Sequence, residues 1–160
     1  MTSESAWNSI GRAVSALNQA GSATTRTHIQ KLLFFAGVWE EPEVYPFEFV
    51  LHLHGPYSFD LDREIMSMEA FGKVTSVPDP AGYGATYSTE KVDTGGEFQR
   101  LADWLGPKSS RQLEALATSE LLKRRGSVDI VTDVVKIKSH LSAEEVEQAM
   151  TEVAKHRHSS

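Results

Sequence analysis

Phe49-Val50-Leu51-His52-Leu53-His54-Gly55-Pro56-Tyr57-Ser58-Phe59-Asp60-Leu61-Asp62-Arg63-Glu64-Ile65 is the stretch whose reading decides the fold. Phe47, Phe49, Leu51 and Leu53 alternate with Glu48, Val50, His52 and His54. A period of two with one apolar face predicts a strand over 46–52. Gly55-Pro56 then reads as the end of that strand, because proline has no N–H to give a ladder and fixes its own φ. Ser58 is placed to cap a new helix, with Asp60 and Asp62 in the first turn, where carboxylates meet the positive end of the helix dipole. Leu61, Ile65 and Met68 follow at spacings of four and three, which predicts one buried stripe. The segment sets an architecture and contains no recognisable catalytic set.

Upstream, Ile10, Val14 and Leu17 share a face of a helix over about 5–20, with Gly21 as its stop. A second helix is predicted over 25–38, capped by Thr25, with Ile29, Leu32, Leu33 and Ala36 inward. Phe34 and Phe35 make it apolar nearly all round, so it is expected to be the central helix. Downstream of Gly72, the runs 74–77 and 85–88 read as two short strands. Between them, Pro78-Asp79-Pro80-Ala81-Gly82-Tyr83-Gly84 is dense in turn residues and makes a long hairpin tip. From Asp93-Thr94-Gly95-Gly96 onward the pattern is helical, over about 97–105, 110–125 and 129–138. A last helix opens at the capping box Ser142-Ala143-Glu144-Glu145. The residues from His156 to the end read as a frayed tail.

This order is helix, helix, strand, helix, hairpin, helices. It predicts an α+β, mostly helical fold: a winged helix-turn-helix-like core with a small antiparallel sheet, and a C-terminal helical extension. The division is a core over 1–92 and an extension over 93–160 packed on it, together one compact domain.

Composition narrows the function classes. The chain has 160 residues, no cysteine and a formal net charge of -6. Without cysteine there is no disulfide, no thiol nucleophile and no zinc-thiolate site. No apolar run reaches the length of a membrane span, and the first residues lack the basic and apolar regions of a signal peptide. The expectation is a cytoplasmic protein. The acidic balance weighs against sequence-independent DNA binding, which needs a cationic surface to displace counterions.

Candidate groups are few. His52 and His54 share a strand face and are a candidate metal pair, which would need His28 or a carboxylate as a third ligand. Two imidazoles without a third ligand at telling spacing do not make a site, so no metal and no cofactor is expected. Ser58 is read as a cap. Tyr57 is expected to anchor the turn or line a shallow groove. Arg63 is the best candidate for a nucleic-acid contact on the third helix, but Asp60, Asp62 and Glu64 surround it and repel phosphate. Lys123-Arg124-Arg125 fits complementation of a helix C-terminus before Gly126.

Thr27-His28-Ile29-Gln30-Lys31-Leu32-Leu33-Phe34-Phe35, followed by Leu53-His54-Gly55-Pro56-Tyr57-Ser58, resembles the YwgA-like family of bacterial and archaeal proteins. It is similar, more loosely, to the Panacea domain. The segment 138–149 also resembles the closing helix of YwgA-like proteins. His54 departs from the related pattern, which more often has an aromatic residue before Gly-Pro. The resemblance implies a winged-helix-like fold without an assigned reaction and, through the Panacea domain, a link to toxin neutralisation and mobile genetic elements. It carries over no catalytic residues. The expectation is therefore a non-enzymatic regulatory or protein-interaction module, antitoxin-like, with a protein partner encoded nearby. Its contact residues are expected to be His54, Tyr57, Arg63 and Tyr83. The alternative is a winged-helix DNA-binding transcriptional regulator.

Overall fold

The computed structural model describes residues 3–21, 23–41, 44–53, 55–80 and 84–158. Among them the chain forms seven helices and two separate two-stranded antiparallel sheets, a mostly helical α+β architecture. The order is α1 (Ser3–Gln19), α2 (Arg26–Val38), β1 (Val50–His52), β2 (Gly55–Tyr57), α3 (Phe59–Ala70), β3 (Thr75–Pro78), β4 (Ala85–Ser88), α4 (Gly96–Leu105), α5 (Ser110–Arg124), α6 (Ile130–Ile137) and α7 (Ala143–His158). No described helix is long and apolar enough to cross a membrane.

The helix starts are set by local chemistry. Thr25 and Ser58 accept from the N–H of His28 and Leu61 and cap α2 and α3. Ser109 with Gln112, and Ser142 with Glu145, form reciprocal capping boxes. Each side chain satisfies backbone donors that have no partner inside the helix.

The strand predicted over 46–52 is shorter than its alternation implied, and Gly55-Pro56 does not end it. Those two residues begin the return strand: Leu51 pairs with Pro56 and His52 with Gly55. A two-stranded sheet has only edges, so the missing proline N–H costs no interior ladder bond. Phe47 and Phe49 still turn inward without strand pairing, and the ring of Phe49 meets Phe34 edge-on at 5.4 Å. The second hairpin forms as expected, with Thr75 opposite Ser88 and Val77 opposite Thr86. Tyr87 ties it to the segment leading into α2, its N–H donating to the Thr24 carbonyl at 2.8 Å.

The centre is a pair of helices rather than α2 alone. Residues His28–Ala36 of α2 are all buried, and so are Leu113–Leu122 of α5. The α5 run contains Glu114, Thr118, Ser119 and Glu120, which hide its burial from any apolar pattern. Ser119 and Glu120 find partners: Ser119 donates to the Ala115 carbonyl at 2.7 Å, and Glu120 accepts from Trp39 at 3.1 Å and Arg124 at 3.0 Å. Buried polar side chains of this kind are tolerable only when so paired. Helix α5 packs on α2, β2, α6 and α7, while α4 packs on α1 and α2.

The tail is helical rather than frayed. Helix α7 runs to His158, and the His156 ring stacks on Trp104 with centroids 4.2 Å apart. Trp39 lies nearly parallel to His156 at 5.7 Å, with the Arg157 guanidinium over the Trp39 ring, 4.7 Å from its centroid. Burial, with Arg100 nearby, lowers His156 to about 4, so the stacked ring is neutral near pH 7.

Candidate interaction surface

The segment from β2 into α3 is positioned by two adjacent residues of α2. Gln30 donates its amide to the Ser58 carbonyl at 2.9 Å and accepts the Ser58 N–H at 2.9 Å. Its carboxamide thus acts as one more residue of strand. Next to it, Lys31 is 1% exposed and donates Nζ to the Pro56 carbonyl at 3.0 Å. The two halves of the sequence motif, Gln30-Lys31 and Gly55-Pro56-Tyr57-Ser58, are therefore one hydrogen-bonded unit. The spacing between them gave no sign of it.

This support presents an aromatic trio. The Tyr57 ring lies 5.1 Å from both His52 and Phe59, and His52 meets Phe59 edge-on at 5.3 Å. Such tilted and edge-on pairs are favourable beyond the area they bury. Tyr57 is half-buried, as an anchor of the turn should be. Burial, reinforced by the Asp62 carboxylate, pushes its hydroxyl up to about 12. Asp62 also takes a hydrogen bond from Arg26 at 2.7 Å, and Arg26 reaches the Tyr87 hydroxyl at 2.5 Å. This chain of polar groups ties α2, α3 and both hairpins together.

Around the trio the surface is apolar and acidic. Leu53 is 72% exposed, Phe59 50%, Met66 56% and Phe71 74%. Phe59 and Met66 are seven residues apart, so they share the outward face of α3. Arg63 lies on that face as well, bound to the exposed Asp60. The remaining charges of α3 are Asp62, Glu64 and Glu69, and Glu64 accepts from the Trp7 indole at 3.2 Å. Beyond Phe71 a groove of about 980 Å³ opens between Trp7, Met68, Thr75 and Val92.

Of the four expected contact residues, Tyr57 and Arg63 fall on this surface, whereas His54 and Tyr83 lie outside the described residues. His52 is engaged with the aromatic trio. His28 does not join it: Nε2 donates to the Lys108 carbonyl at 3.0 Å and Nδ1 faces the Thr25 hydroxyl at 2.7 Å. Burial lowers the His28 pKa, consistent with that neutral tautomer. Among the described residues no three His, Asp or Glu side chains are grouped to hold a metal. Sequence reasoning missed Phe59, Met66 and Phe71 as surface residues. Their signal was present: with Leu61, Ile65 and Met68 assigned inward, the helical period leaves Phe59 and Met66 facing out.

Comparison of the chain with protein-family models, with curated proteins and with solved structures found no match.

Proposed function

We propose that this protein is a non-enzymatic regulatory module that binds another protein through the β1–β2 tip and the outward face of α3. The observation that carries the reading is the pair of exposed apolar side chains Phe59 and Met66 on the outward face of α3, with the Phe59 ring against Tyr57 and Leu53 exposed at the β1–β2 tip. Large apolar residues grouped on one face, with polar residues around them, are what a partner covers. Charge selects the partner: α3 is acidic in its first turn and its one arginine is already held by Asp60. The matching surface is an apolar patch framed by lysines and arginines, since complementary potentials favour encounter and register. The resemblance to YwgA-like and Panacea sequences supports an antitoxin-like partner of a defence or mobile-element system, encoded beside this chain.

Co-expression with the products of the flanking genes tests this. One of them should co-purify with the wild-type chain and be lost with Phe59→Asp or Met66→Asp, while Tyr57→Ala weakens the complex and leaves the fold intact. Equal co-purification by the charged variants would remove the surface from the proposal. Steeply salt-dependent binding to duplex DNA, lost with Arg63→Ala, would favour a DNA-binding winged-helix regulator instead.

A further inference from the structure

Beneath the docking hairpin lies a charged cluster drawn from both halves of the chain. Lys31 comes from α2, Glu114 and Thr118 from α5, and Lys138 and His140 from the segment after α6. All except His140 are buried. Lys138 donates Nζ to the Leu53 carbonyl at 2.8 Å and also to the His52 carbonyl, while Lys31 takes the Pro56 carbonyl. Glu114 accepts from His140 Nε2 at 2.7 Å and stands 3.4 Å from Lys138 Nζ. Gly55 sits directly on this cluster: a Cβ there would lie 2.8 Å from Thr118 Oγ1.

The charges do not balance by side chains alone. Two buried ammonium groups face one buried carboxylate, and a buried cation without compensating partners is costly. The turn carbonyls supply the rest of the negative potential. The hairpin is therefore part of the electrostatic balance of the interior, and lifting it strands two cations. That binds a ladder of only three residue pairs more firmly than its own hydrogen bonds would.

We propose that Lys31 and Lys138 are positioning residues that hold the carbonyls of Pro56 and of His52 and Leu53, one arm of the hairpin each, and so fix how His52, Tyr57 and Phe59 are presented. The proposal rests on the reading of this face as the docking surface. It has a titration signature. Burial lowers Lys31 to about 8, with Glu114 opposing and Lys138 adding to that fall. The other groups facing the cluster are His140 and Arg111, the latter held by Glu145 and by the His140 carbonyl. Loss of the Lys31 proton removes half of the clamp's charge.

Amide exchange and chemical shifts of the full ¹⁵N-labelled chain test the proposal. In Lys138→Met, exchange at Gly55 and Tyr57 should rise about tenfold or more while the amides of α5 keep their protection. Lys138→Arg, which retains the cation, should restore it. The Tyr57 amide shift should titrate near pH 8 in the wild-type chain and be flat in Lys31→Met. Exchange rising equally in the hairpin and α5, no change in either, or a titration surviving in Lys31→Met would each overturn the clamp. If Lys31→Met does not fold, the two Lys138 variants decide alone. None of these readouts needs a partner, so a failed co-purification leaves them standing, and their failure leaves the docking surface standing.

Discussion

The hairpins β1–β2 and β3–β4 share a topology and are held by different forces. In β1–β2 the return strand is buried at Gly55 and Pro56; Lys31 holds the Pro56 carbonyl, Gln30 holds Ser58 just beyond it, and Lys138 holds the His52 and Leu53 carbonyls on the other arm. In β3–β4 half of the residues are exposed, and one buried residue, Tyr87, fastens the sheet to α1 and α2. Both borrow a carboxamide as an extra strand residue: Asn18 donates to the Tyr87 carbonyl at 3.0 Å and accepts from the Thr89 N–H at 3.2 Å, as Gln30 does at Ser58. The difference is in what lies underneath. The first hairpin rests on charge and backbone contacts with no spare volume. The second is held through the Tyr87 ring, with Arg26 on its hydroxyl, and through neutral hydrogen bonds with Asn18 and Thr24, and leaves its outer strand in solvent.

The same glycine-to-alanine change should separate them. Gly55 has φ +90 and Thr118 Oγ1 waits 2.8 Å from the new Cβ, with the Glu114 carbonyl at 3.5 Å. Gly55→Ala should cost about 3 kcal/mol in urea unfolding, from backbone strain and overpacking together. Adding Thr118→Ala should recover only the steric part. The control is Gly84→Ala, at φ +68 with nothing within 4 Å. It should cost about 1 kcal/mol, the backbone term alone. Equal costs at the two positions would mean that the β1–β2 seat is not tight.

Alkaline stability probes the charged seat. A lysine in the unfolded chain keeps its proton to about pH 10.5, whereas buried Lys31 releases it near 8. Between those values the unfolded chain holds more protons, so stability rises with pH across that window and is lower below it. Lys31→Met should abolish the rise. In the other hairpin, Tyr87→Phe keeps the ring and removes the hydroxyl that Arg26 reaches. A loss of about 1.5 kcal/mol is expected, the worth of a hydrogen bond to a charged group. The smallest effect should come from Val77→Thr on the exposed outer strand, within about 0.5 kcal/mol.

Legibility followed the same division. The caps at Thr25, Ser58 and Ser142 and the pairing of 74–77 with 85–88 could be read because their causes lie within a few residues of one another. The outward face of α3 was implicit in its inward one. Three features were not legible. Gly55-Pro56 looks like a stop, and becomes a strand only because Gln30 and Lys31 approach from a helix about 25 residues earlier. The burial of α5 was hidden because Glu114 and Glu120 occupy interior positions that only distant Lys138, His140 and Trp39 make tolerable. His156 read as a tail because nothing local reveals that Trp104 and Trp39 await it.

By itself the sequence determined where helices begin, which faces of them are apolar, and that a hairpin follows the third helix. Those are properties of neighbouring residues: side-chain oxygens within reach of free N–H groups, and periods of two or 3.6. Only the tertiary structure decided which polar residues go inside and which apolar ones stay out. A buried lysine or glutamate is stable or ruinous depending on a partner that the chain brings near only on folding, and the seat of the β1–β2 hairpin is made of such pairs.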